Sequence, residues 1–185
     1  MSHTRARASG YWIRDEVART RWCGGYSRAV IDADERLKEL GIELPEIPPL
    51  PAGPQPMVIP VVVHGGFAFV SGIGPIGTTG VVGGDMTVEQ GYEAARATAL
   101  LVFRRIVDAF GRLEAVERWV RVTGFVRSAP GFGQQPAVLN GFTEQVVEVF
   151  GPDRGRCARS ALGTSELPMN IPVEVECILA LRPSP

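Results

Sequence analysis

The stretch from Thr87 to Gly111 constrains the fold more than any other. Thr87-Val88-Glu89-Gln90 is a capping box, in which a threonine hydroxyl and a glutamine side chain each satisfy a backbone donor of the other at a helix start. Ala95, Ala99, Phe103, Ile106, Val107 and Phe110 then recur at helical period, and Gly111 stops the run. A helix this long with one apolar stripe must lie on an apolar layer, and its neighbours supply one. Val58–His64 and Phe67–Ser71 read as strands joined at Gly65-Gly66, with Pro60 placing the first at an edge or bulge. Trp119–Arg127 alternates, with Val120, Val122, Gly124 and Val126 on one side. Residues 135–150 form a second helix with Val138, Phe142, Val146 and Val149 inward, ended by Gly151-Pro152. Cys157–Leu162 and Pro172–Leu181 are the closing strands. The order β-β-α-β-α-β-β predicts an α+β domain, a mixed β-sheet with two helices packed on one face.

Ahead of this unit, residues 58–185, stand two smaller pieces. Asp32 to Leu40 reads as a short helix with an aspartate cap, closed by Gly41. Residues 42–57 hold six prolines and form an extended arm, expected to lie along its own domain. Together these make a segment over residues 31–57. Residues 1–30 form an extension with six arginines against Asp15 and Glu16, leaving the remainder at −5. The extension also holds Trp12, Trp22, Tyr11 and Tyr26, so it is expected to pack on the body or on a neighbouring subunit.

An acidic body argues against nucleic acid as a partner. No stretch approaches the ~20 apolar residues of a membrane helix. Cys23, Cys157 and Cys177 are odd in number and widely spaced, which fits a reducing, cytoplasmic setting. Gly72-Ile73-Gly74-Pro75-Ile76-Gly77 matches GxGxxG after a strand, but Pro75, Gly80, Gly83 and Gly84 delay the next helix to about residue 87. A dinucleotide site needs that helix to start within the motif. Only His3 and His64 are histidines, so no metal-ligand spacing exists. His64 reads as a strand-end residue. Cys157 shares a strand face with Arg159 and reads as a packing thiol, although a guanidinium nearby could stabilise a thiolate.

Charges on the closing strands are the remaining chemistry. Arg159 has the planar fork that holds a carboxylate through two hydrogen bonds. On the last strand Val173, Val175, Cys177, Leu179 and Leu181 share one face, leaving Glu174 and Glu176 on the other with Ile178 and Ala180. A covered carboxylate there needs a partner or a task; residue chemistry alone does not choose between the two glutamates. The expected site is a guanidinium facing a shielded acid across two neighbouring terminal strands.

Over residues 33–182 the chain resembles the Rid (YjgF) reactive-intermediate deaminase superfamily, whose members are trimers with a chorismate mutase-like fold. The resemblance rests on Ser71-Gly72, Val122-Thr123-Gly124-Phe125-Val126, Ser128-Ala129-Pro130-Gly131-Phe132 and Val138-Leu139-Asn140. It rests most on Ala158-Arg159-Ser160, Leu167-Pro168 and Val173-Glu174-Val175-Glu176. The opening Glu39-Leu40-Gly41-Ile42-Glu43-Leu44-Pro45 points to one branch of the superfamily. The resemblance implies sites in the clefts between subunits of a homotrimer. It assigns Arg159 to the substrate carboxylate and Glu174, six residues after Pro168, to a water that attacks an imine carbon. Gly72 and Asn140 would border the pocket. The tyrosine of deaminating members falls near Val58 and their site cysteine aligns with Ala161, so this pocket is expected to be drier.

The expected function is hydrolytic deamination of a carboxylate-bearing imine or enamine to a 2-keto acid and ammonia. No cofactor is implied, because an imine hydrolyses readily once held beside a positioned water. Two alternatives are a non-catalytic trimer that binds a small metabolite and a tautomerase or cyclase acting on a larger substrate. A ribonuclease fits least, since the body is acidic and lacks a histidine pair.

Overall fold

A computed structural model describes residues 32–48 and 58–183. The extension 1–30 and the second half of the proline arm lie outside the described residues. Two strands open the sheet, β1 (Val61–His64) and β2 (Phe67–Ile73), paired antiparallel through the Gly65-Gly66 turn. Helix α2 (Val88–Phe110) follows, then strand β3 (Val116–Arg127), helix α3 (Gln135–Gly155), and strands β4 (Ala158–Thr164) and β5 (Val173–Leu181). Helix α1 (Ala33–Glu39) precedes them all, capped by the Asp32 side chain on the N–H groups of Asp34 and Glu35. The strand order is β1-β2-β5-β3-β4. Every pairing is antiparallel except β3 with β4, which α3 joins as a crossover.

The α2 capping box forms, with Thr87 Oγ1 accepting from Gln90 N and Gln90 Oε1 accepting from Thr87 N. Gly111 ends the helix at φ 79, a left-handed conformation that favours glycine. In α3 the helical backbone breaks at Gly151 (φ 73, ψ 162), just before Pro152, and one further turn runs to Gly155. The two helices pack closely at Gly141, where an added Cβ would stand 2.9 Å from the Tyr92 carbonyl carbon. Beneath them Trp119 meets Phe103, Phe142 and Phe150 edge to face, with ring centroids 5.6–6.1 Å apart. Trp119 rather than Val120 enters this core because the β3–β5 register shifts between Trp119 and Arg121.

A buried carboxylate ties α1 to the body. Glu114 accepts from Ala33 N at 3.0 Å and from Arg154 at 2.9 Å, and it also pairs with Arg182. The Asp34 carboxylate in turn accepts from Leu113 N and Glu114 N. Ile42 and Leu44 of the arm pack against the core.

Among the described residues no helix covers the other face of the sheet. Exposed there are Val62, Phe67, Phe69 and Leu162, each more than a third accessible, with half-buried Phe125 and Ile178 between them.

Candidate functional site

Arg159 projects from β4 toward the helices, because it sits opposite core residue Val122 in the parallel register. Its Nη1 donates to Asn140 Oδ1 and to Thr143 Oγ1, both at 3.0 Å, and its Nη2 donates to the Pro136 carbonyl at 3.4 Å. Asn140 therefore holds the guanidinium. Thr143 was missed, although its position one turn after Asn140 is the signal that would have found it. Arg159 and Asn140 line an open cleft of about 820 Å³ that also reaches Arg96, Glu144 and Cys157. Burial pushes the Cys157 thiol above its usual range even though Arg159 and Arg118 pull the other way. Ala161, two residues along the same face, pairs with Gly124.

Glu174 lies on the helix-free face, opposite Phe125. Here the structure corrects the sequence-based expectation. The two closing strands are not neighbours, because β3 lies between β4 and β5. Arg159 and Glu174 also point to opposite faces of the sheet. Strand β4 continues the α3 crossover in parallel with β3, whereas β5 takes the antiparallel position between β2 and β3. Residues 165–172 cross from one to the other through Leu167-Pro168, with Met169 (φ 55) and Asn170 (φ 59) in the left-handed region. Such strained non-glycine positions concentrate at ligand sites.

Gly72 meets Glu174 directly. The β2–β5 register shifts between Val70 and Ile73, so Ser71-Gly72 forms a bulge against β5. A Cβ on Gly72 would stand 3.0 Å from the Glu174 carboxyl carbon and closer still to Oε1. Burial raises the Glu174 pKa, and the like charge of Glu176 raises it further. Glu176 is exposed, which separates the two glutamates that residue chemistry could not. Glu174 opens into a cleft of about 650 Å³ walled by Ile73, Pro75, Ile76, Met169 and Ile171, with Ile47 and Pro48 of the arm at its rim and Arg105 within it. Ile73, Pro75 and Ile76 belong to the Gly72–Gly77 loop that the sequence marks as a GxGxxG string, whereas Met169 and Ile171 were not singled out; Val58, which was, stands exposed ahead of β1.

One chain thus carries two separate groups: an anchored cation on the helix side of an edge strand and a shielded carboxylate on the opposite face. Residues 53–181 match the family profile described as endoribonuclease L-PSP. The chain belongs to that family, also known as YjgF/Rid. A Trypanosoma cruzi relative, protein TCP17, is 39% identical over 151 residues, covering 79% of this chain and 92% of its own. Among solved structures, Atu1372 of Agrobacterium tumefaciens, a protein of unknown function, is 32% identical with a TM-score of 0.69, over 80% of this chain and 91% of its own. A Shewanella oneidensis protein described as a candidate endoribonuclease reaches a TM-score of 0.73 at 26% identity, over 81% and 99%. The fold is that of the Rid superfamily. Among the described residues no helix is long and apolar enough to cross a membrane.

Proposed function

We propose that this family member hydrolyses a carboxylate-bearing imine or enamine to a 2-keto acid and ammonia, at a site assembled between subunits. One observation carries the proposal most: a half-buried carboxylate of raised pKa faces an apolar cleft, while the guanidinium suited to its substrate lies on the opposite face of the same sheet. A second copy of the chain resolves the separation. The exposed apolar face formed by Val62, Phe67, Phe69 and Leu162 is the surface such a copy would cover. In a cyclic homotrimer each interface is heterologous, so Arg159 of one subunit would meet Glu174 of the next.

Within such a cleft Arg159, held by Asn140 and Thr143, binds the substrate carboxylate through its fork. Glu174 takes a proton from water as the water oxygen adds to the carbon of the protonated imine, giving a neutral carbinolamine. The same carboxyl returns that proton to nitrogen and, as the C–N bond breaks, accepts the hydroxyl proton, so that the carbonyl forms and ammonia leaves. A carboxylate of raised pKa suits these proton steps. Gly72 gives the Glu174 carboxyl its room, and the small Ala161 and the apolar walls fit a substrate larger than 2-aminoacrylate. The family name, endoribonuclease L-PSP, denotes RNA cleavage, but His64, the one histidine among the described residues, is exposed at a strand end and has no histidine partner there. The test is keto-acid release from imines generated in situ. Acceleration by the wild type, lost in Arg159→Ala and Glu174→Gln, supports the proposal. Tight ligand binding without turnover would instead make the protein a metabolite-binding trimer.

A further inference from the structure

Seven arginines among the described residues are half-buried: Arg36, Arg96, Arg104, Arg105, Arg127, Arg154 and Arg159. Five of them pair with a carboxylate, namely Glu39, Glu148, Asp108, Glu166 and Glu114 in that order. The two without one are Arg159, already assigned to a substrate carboxylate, and Arg105. Arg105 lines the same cleft as Glu174. Its Nη1 donates to the Ser71 carbonyl at 3.0 Å, at the bulge that seats Gly72 against Glu174. A guanidinium has five donors, and a single neutral carbonyl does not balance a charge withdrawn from water. Burial accordingly holds the Arg105 pKa below the usual arginine range, with Cys177 acting weakly against it. Apart from Glu174, with which Arg105 forms no ion pair, the other described residues that line this cleft carry no charge.

We propose that Arg105 receives a second anionic group, so that the preferred substrate is an imine of a dicarboxylic acid. Its α-carboxylate would lie on Arg159 of one subunit, its methylenes against the apolar wall, and its distal carboxylate on Arg105 of the next. This specificity rests on the hydrolytic function proposed above. Arg105 also steadies the Ser71-Gly72 bulge, and the experiment separates that backbone support from anion binding.

An amino-acid oxidase or dehydrogenase would supply the imine of glutamate and, in parallel, the imine of glutamine, which has the same shape with a neutral tail. Wild type is expected to favour the diacid in kcat/KM by roughly 10- to 100-fold, the worth of one charge-assisted pair. In Arg105→Gln the ratio falls to about one, whereas Arg105→Lys keeps part of it. A wild type indifferent to the tail, or a preference that survives Arg105→Gln, overturns the proposal. Should no imine be hydrolysed, that failure belongs to the proposed reaction. Calorimetry of wild type with 2-oxoglutarate against 2-oxovalerate then decides on Arg105 alone, and equal affinities would overturn its role.

Discussion

Replacing Gly72 with alanine adds one methyl group and tests whether Glu174 must sit where it does. The Cβ would stand 3.0 Å from the Glu174 carboxyl carbon, where an ordinary carbon–carbon contact is about 3.5–4.0 Å. The carboxyl must therefore retreat by roughly 0.5–1 Å. Gly72 is not among the positive-φ glycines, so alanine fits the backbone, and the loss of unfolded-chain entropy favours the variant by about 0.4–1 kcal/mol. The side-chain end is free to swing outward. Net stability is expected to change by less than ~1 kcal/mol. Turnover should suffer far more, because displacement of a reacting group by about 1 Å can cost on the order of 10²-fold. The assay is kcat for imine hydrolysis beside a urea denaturation curve. Adding Gly72→Ala to Glu174→Gln should cost little further, since both remove the same function. Full turnover in Gly72→Ala would refute the reasoning, as would a rate loss matched by general unfolding.

Other consequences follow from the same contacts. Burial raises Glu174 and Glu176 raises it further, so the acidic limb of kcat should lie above 4.5 and shift toward it in Glu176→Gln, measured as a pH–rate profile. Glu174→Gln should leave stability at pH 7 unchanged or raised, because the charged form is the one burial disfavours, and thermal melting checks this. Burial pushes Glu114 up, but the Ala33 N–H and the bond and charge of Arg154, with the charge of Arg182, outweigh it and hold its pKa below 4.5. Its stabilisation is thus present above 4.5 and lost as pH falls through the lower folded value. Glu114→Ala should cost about 3–5 kcal/mol at neutral pH, and denaturation curves should show wild type and variant converging on acidification. Gly141→Ala forces a Cβ onto the Tyr92 backbone and should cost about 1–3 kcal/mol by separating α2 from α3, read from the same curves.

Much of the fold is legible in the chain because local chemistry and tertiary packing agree. The Thr87 capping box, the Gly111 stop and the Asp32 cap all act where their residues stand. Strand pairing is less legible. Cys157–Leu162 and Pro172–Leu181 are close along the chain, but proximity in sequence does not report the order of strands in a sheet, and β3 came between them. Alternation alone also put Val120 inward, where a bulge instead seats Trp119. In the site, the patterning of β5 located Glu174 and Glu176 on one face; only coordinates showed that one is shielded and the other exposed. Arg105 was invisible for a related reason. It lies on the amphipathic α2, where an arginine ordinarily reaches solvent, and nothing local marks it as turned toward a cleft.

Subunit mixing tests the central claim most directly. Arg159→Ala and Glu174→Gln proteins, each inactive alone, would be denatured together in equal amounts and refolded. If each site takes Arg159 from one subunit and Glu174 from the next, random assembly leaves about one quarter of sites with both groups, and about a quarter of wild-type activity returns. If both groups of a site come from the same chain, no mixture restores activity, and a refolded mixture that stays inactive would contradict the account.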